Sequence, residues 1–211
     1  MSENQLIARS PITPAAPVTV VAGWEVSGAR SDAALTITDS TPLAKVQVRA
    51  PWNGALAKVL GVPFGRTLRD GGELLIGAGP GQWLVLAPPG TADAVASRLE
   101  GIAADSAPEE LVSVTDLTHG RALIRLAGDR AADLLGRLCP ADLHDDMAPD
   151  GTAFRSPVAG LATDLVRDDH AGTLSYLLHC ERSSGQYLFD ALVAAGESFG
   201  VGITGFALPG I

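Results

Sequence analysis

The chain has no apolar run approaching the ~18 residues a membrane-spanning helix needs. Basic residues are few: 15 Lys and Arg against 24 Asp and Glu give a formal charge of −9. Nucleic acid and anionic membrane surfaces select clustered Lys and Arg, so neither is an expected partner. Cysteine occurs twice, at 139 and 180. Two reduced, buried thiols in a cytoplasmic protein are the expectation, not a disulfide framework. The N-terminus, MSENQLIARSPITPAAP, holds one Arg and no apolar h-region, so it does not read as a secretory signal.

Motifs of chemistry are equally scarce. Gly77-x-Gly79-x-Gly81 is not a dinucleotide fingerprint, because Gln82 takes the final position and a strand, not a helix, follows. It reads as a hairpin turn. His119, His144, His170 and His179 are scattered, with no pair at metal-ligand spacing. His144-Asp145-Asp146 has the composition of a cation clamp but reads as a solvated loop after Pro140. His119 sits in a turn, where its expected partner is a backbone group. No G-x-S-x-G occurs. Cys139 falls at a helix C-terminus, where the dipole disfavours a thiolate. No residue is therefore singled out as catalytic, cofactor-binding or metal-ligating.

What is present is a core: 46% of the residues are apolar. Residues 1–17 are polar and proline-bearing and read as an extended arm, mobile in the isolated chain, with Leu6, Ile7 and Ile12 as anchors for a partner. Val46 and Val48 alternate with Gln47 and Arg49, a half-buried strand. Leu56, Val59 and Leu60 form a short helical stripe after Asn53, a fair cap. Glu73–Ile76 and Gln82–Ala87 read as a hairpin. A helix capped by Thr91 turns Val95 and Leu99 inward and ends at Gly101, before a polar linker. Ala122, Ile124 and Leu126 mark a strand. After Asp129 as cap, Ala131, Leu134, Leu135 and Leu138 share one helical face, with Asp133 and Arg137 paired on the other. A second hairpin spans Phe154–Val166 and Thr173–Cys180. The last helix starts at Ser183 or Ser184 and turns Leu188, Leu192, Ala195 and Phe199 to one side. Trp83 is a core position, whereas Trp24 and Trp52 lie near loops, where an exposed indole could anchor an interface.

A pattern repeats. Offset by 78, Val46 falls on Ile124 and Leu56 on Leu134; offset by 93, Val85 falls on Leu178 and Leu99 on Leu192. The expected fold is α+β: an arm over 1–17, a first βαββα module over 18–110 and a second over 111–211.

Residues 116–144, DLTHGRALIRLAGDRAADLLGRLCPADLH, resemble the gamma subunits of heterotetrameric sarcosine oxidases. Residues 75–88, LIGAGPGQWLVLAP, are similar to the Gly-Pro-x-x-Trp-Leu strand of that family. Weaker matches are Arg9-Ser10-Pro11-Ile12 and Leu43–Pro51. The resemblance implies the fold of the folate-binding aminomethyltransferases, relatives of the glycine-cleavage T-protein. It implies a non-catalytic subunit of an oxidoreductase acting on CH–NH donors. That complex oxidises sarcosine or a related N-methyl amino acid, giving hydrogen peroxide and a one-carbon unit passed to tetrahydrofolate or released as formaldehyde. It further implies large flavoprotein subunits, alpha and beta, and a small delta subunit as partners. FAD, FMN, NAD and tetrahydrofolate would belong to the larger subunits and none to this chain. At the start of the last helix, catalytic relatives carry a tyrosine-, glycine- and glutamate-bearing motif that helps hold folate. Here the stretch is Glu181-Arg182-Ser183-Ser184-Gly185-Gln186, without the glutamate after the glycine. The alternatives are a free-standing folate-binding, one-carbon-transfer module, and a scaffold unconnected with amine oxidation.

Overall fold

A computed structural model of the chain describes residues 6–170 and 172–211. Its strands are β1 (Ala8–Arg9), β2 (Val18–Val21), β3 (Trp24–Ser27), β4 (Thr36–Asp39), β5 (Ala44–Arg49), β6 (Thr67–Asp70), β7 (Glu73–Gly79), β8 (Gln82–Ala87), β9 (Ser113–Asp116), β10 (Arg121–Ala127), β11 (Ala153–Val158), β12 (Leu161–Arg167), β13 (Ser175–Glu181) and β14 (Gly202–Ile203). Its α-helices are α1 (Ala55–Leu60), α2 (Ala92–Ser106), α3 (Ala131–Leu135) and α4 (Gly185–Gly196). None of them is long and apolar enough to cross a membrane.

The fold is α+β and duplicated. One sheet runs β6-β7-β8-β5-β9 and the other β11-β12-β13-β10-β4-β14. Val46 and Val48 stand in β5, between β8 and β9; Ile124 and Leu126 stand in β10, between β13 and β4. The two strands so matched by the repeat thus occupy equivalent central positions, each antiparallel to both neighbours. The strand preceding each central strand is exchanged: β4 pairs with β10 and β9 with β5. A third, small sheet orders β1-β3-β2.

Strand alternation makes three cores. Val46, Val48, Trp83 and Val85 face α1 and α2, meeting Leu56, Val95 and Leu99. Ile124, Leu126, Tyr176 and Leu178 face α3 and α4, meeting Leu134, Leu188 and Leu192. The opposite faces, with Leu74, Ile76, Leu84, Leu123, Val166 and Leu177, pack the two large sheets on each other. Trp24 belongs to this inter-sheet core and not to a loop surface, and its indole stacks on His119 at 4.8 Å. Trp83 donates its indole N–H to the Val62 carbonyl at 2.8 Å. Trp52 is 70% exposed.

Local chemistry departs from the sequence expectations at several points. The segment read as Phe154–Val166 is two strands, divided by a turn at Ala159 and Gly160, and β6 is the matching extra strand of the first half. Helix α2 continues past Gly101 because Ala103 and Ala107 are buried beyond it. Asp133 pairs with Arg130, while the Arg137 guanidinium lies over the Phe199 ring at 4.1 Å. Side-chain caps at Thr91, Asp129 and Ser184 do not form. Helix α1 is capped from afar: the Glu110 carboxylate accepts from the Ala55 and Leu56 N–H groups. The helix dipole favours an anion there. Ile12 is buried by this chain and is not free to anchor a partner. Ile12 is 1% exposed and belongs to the core with Leu35, Ala122 and Leu188, while Leu6 stays 93% exposed. Of the expected arm, residues 1–5 lie outside the described residues.

Candidate functional site

Between the two large sheets lies a cavity of about 450 Å³. Its walls are the inward-facing positions of both sheets: Ile76 and Leu84 from the first, Leu123, Asp164, Leu177 and His179 from the second. The two-residue period of a strand fixes this, sending Leu177 and His179 inward while Leu178 and Cys180 face the helices. At one edge the β7–β8 hairpin turns tightly. A Cβ on Gly81 (φ +69°) would stand 2.4 Å from the Ala50 carbonyl oxygen, and one on Gly77 2.1 Å from that of Pro63. These glycines serve close backbone approach. No helix N-terminus lies at this turn, so no phosphate cradle forms.

One corner of the cavity is polar. Asp164 accepts from Arg155 Nε at 2.6 Å and Nη2 at 3.0 Å. His179 Nδ1 stands 3.5 Å from the same carboxylate, beyond a well-formed hydrogen bond. Neither ring nitrogen of His179 has a hydrogen-bond partner among the described residues. Burial is the largest influence on Asp164 and pushes its pKa up, but His179 and Arg155 together outweigh it and hold the carboxyl at about 2. Burial pushes His179 downward against the pull of Asp164. The pair therefore rests as carboxylate and neutral imidazole. Of three guanidinium groups on the lining, Arg155 pairs with Asp164 and Arg121 with Glu181, which leaves Arg49 outside the ion pairs among the described residues. An apolar floor, a neutral imidazole and the guanidinium of Arg49 suit a partly apolar anion.

A second buried titratable group lies at the strand exchange. Lys45, on β5, is fully buried and donates through Nζ to the Thr41 and Leu43 carbonyls, each at 2.7 Å. Burial lowers its pKa to about 7, opposed by Asp39 and Asp116. A third cluster locks the sheets together: Asp168 accepts from Arg69 of β6 and Arg125 of β10.

The residues weighed from sequence fall apart in space. His144 and Asp146 are exposed, and Asp145 pairs with Arg167 at 2.5 Å. Among the described residues no three His, Cys, Asp or Glu side chains are placed to hold a metal. Cys139 donates to Ser156 Oγ at 3.3 Å, and burial pushes the Cys180 thiol up to about 11, a poor nucleophile. Asp164 and His179 were not singled out in the sequence. Their signal is a polar side chain in strands whose other inward positions, Val166 and Leu177, are apolar.

The model of the GCVT N-terminal domain matches residues 73–208. The chain belongs to that family. The match takes in part of the first half and nearly all of the second. A chain of heterotetrameric sarcosine oxidase from Corynebacterium sp. U-96, solved with pyrrole 2-carboxylate, is 25% identical, with a TM-score of 0.66 over 78% of this chain and 85% of that one. The glycine cleavage system aminomethyltransferase T from Bartonella henselae is 17% identical and superposes with a TM-score of 0.67. That alignment takes 89% of this chain but 55% of the transferase, so the chain spans about half of that protein.

Proposed function

We propose that the chain is the gamma subunit of a heterotetrameric sarcosine oxidase, or of a close counterpart acting on another N-methyl amino acid, and that it carries no catalytic group itself. The observation that carries this reading is the 25% identity to a sarcosine oxidase chain of which 85% is covered. Oxidation of the N-methyl amine, with flavin and nicotinamide chemistry, belongs in this reading to large alpha and beta subunits, accompanied by a small delta subunit, in the cytoplasm. The turn at Gly79–Gly81 does not fit a flavin or nicotinamide nucleotide, since it joins two strands.

Folate fits no better at the start of α4. Thr13 N donates to Gln186 Oε1 at 2.7 Å and Arg182 Nη2 to the Arg9 carbonyl at 2.7 Å. A Cβ on Gly185 would meet Ala122 Cβ at 2.7 Å and Pro11 Cγ at 2.9 Å. The chain's own residues 9–13 thus cover the stretch to which the sequence resemblance assigns the folate motif of catalytic relatives. Co-expression with the flavoprotein subunits of the same source tests the reading. Stoichiometric co-purification is expected, with the isolated chain colourless. A chain that never associates with a flavoprotein would overturn it.

The inter-sheet cavity favours a second reading, a folate-binding one-carbon module. Calorimetric titration with tetrahydrofolate separates the two. The subunit reading expects no heat at micromolar concentrations, and low-micromolar binding by the isolated chain would promote the module.

A further inference from the structure

The internal duplication gives a template for a surface that is covered in one half and open in the other. In the first half, residues 61–66 join α1 to β6; in the second, the much longer 136–152 joins α3 to β11. That longer connection folds over its own sheet. The Leu138 carbonyl accepts from Ala159 N at 2.9 Å at the tip of the β11–β12 hairpin. The Cys139 thiol bonds Ser156 of β11, and Cys139 and Leu143 are buried in the α3–α4 core. Strand register identifies the counterparts. Leu68 opposite Leu75 corresponds to Phe154 opposite Leu165, which makes Asp70 the counterpart of Ser156.

At the corresponding place the first half has a groove of about 200 Å³, walled by Leu60, Leu99 and Ile102 of the helices and by Leu68, Leu75 and Val85 of the strands. Val59 and Leu68 on it are about half exposed, at 54% and 48%. Arg98 at the rim is committed to Glu73 at 2.5 Å, which leaves Asp70 outside the ion pairs among the described residues. The groove is therefore apolar within and carries one uncompensated anion at its edge.

We propose that this groove is the docking site for a loop of a partner subunit, taking in the first half the place that Cys139 and Leu143 take in the second. The loop presents a small side chain and a leucine four residues apart, with a cationic side chain directed at Asp70. The inference rests on the subunit reading above. It adds the contact surface and the chemistry of what sits on it.

Affinity capture tests it, with the flavoprotein subunits co-expressed and the tag on this chain. The samples are wild type, Val59→Glu/Leu68→Glu, Asp70→Lys and the exposed control Val20→Glu. Wild type and Val20→Glu should hold the flavoprotein subunits. The groove variants should weaken capture by roughly tenfold or more, the scale of losing an interface anchor, while the melting temperature of each isolated variant stays that of wild type. Hydrogen exchange on the wild-type complex should show protection over 59–70 and 95–106. If wild type captures no flavoprotein, the subunit reading falls and this inference with it. If wild type and groove variants are captured equally, or those segments gain no protection, the inference is overturned and the subunit reading stands. If the chain alone is a dimer that Val59→Glu/Leu68→Glu makes monomeric, the groove pairs two copies and the inference is again overturned.

Discussion

Asp164 sits on an inward-facing strand position that an apolar residue would otherwise fill, and its carboxylate accepts two hydrogen bonds from Arg155. The folded pKa of about 2 lies below the ordinary 3.8, so the ionised group favours the folded state above 3.8. That contribution is lost as pH falls through the folded value. Asp164→Asn should accordingly flatten the loss of stability between about pH 4 and 2, read as urea midpoints across that range. Wild-type and variant curves that run parallel would contradict the assignment. Leu134 tests the core at the same scale. It is fully buried, and Leu134→Ala should cost about 2–5 kcal/mol in chemical denaturation. Residues of this second kind were legible, because a stripe at i, i+3, i+4 declares its own face. Asp164 and His179 were not, because nothing in a single strand shows that its inner face borders a cavity and not a filled core.

At the scale of elements, strand alternation and helix stripes identified most of the sheet and helix positions. The ends of elements were misread wherever a distant residue sets them. Glu110 caps α1 across more than fifty residues of chain, a relation no local motif encodes. Helix α2 outlasts Gly101 because Ala103 and Ala107 beyond it are buried, a tertiary effect that outweighs the cost of glycine in a helix. The N-terminal segment is the clearest case. A short stretch bearing prolines cannot form a core alone, yet Ile12 enters a core that other elements build. Ile12→Ala should therefore destabilise the isolated chain by about 2–5 kcal/mol, lowering the melting temperature by about 5–15 °C for a chain of this size. A melting curve unmoved by that substitution would return the segment to the status of a loose arm.

For the whole molecule, the repeat visible at offsets of 78 and 93 was a pattern of apolar positions, and it gave the order of elements. It did not give the exchange of β4 and β9, since which strand a distant strand pairs with leaves no periodic trace in the sequence. We propose modules over 18–110 and 111–211, and the exchange makes each depend on the other. Either half expressed alone lacks the strand that flanks its central β5 or β10. Neither should melt cooperatively by circular dichroism, and mixing should restore the transition; a half with its own sharp transition would contradict the interlock.

An acidic chain whose residues 9–13 cover the start of α4, with an apolar groove left open, suits a subunit built for assembly. Native mass spectrometry of the chain co-expressed with the flavoprotein subunits proposed as its partners tests that most directly. The account predicts one copy of this chain in a four-subunit particle, released on activation at its bare polypeptide mass, with flavin, nicotinamide and folate masses staying on the larger subunits. A chain that flies alone, carrying the added mass of tetrahydrofolate, would contradict it.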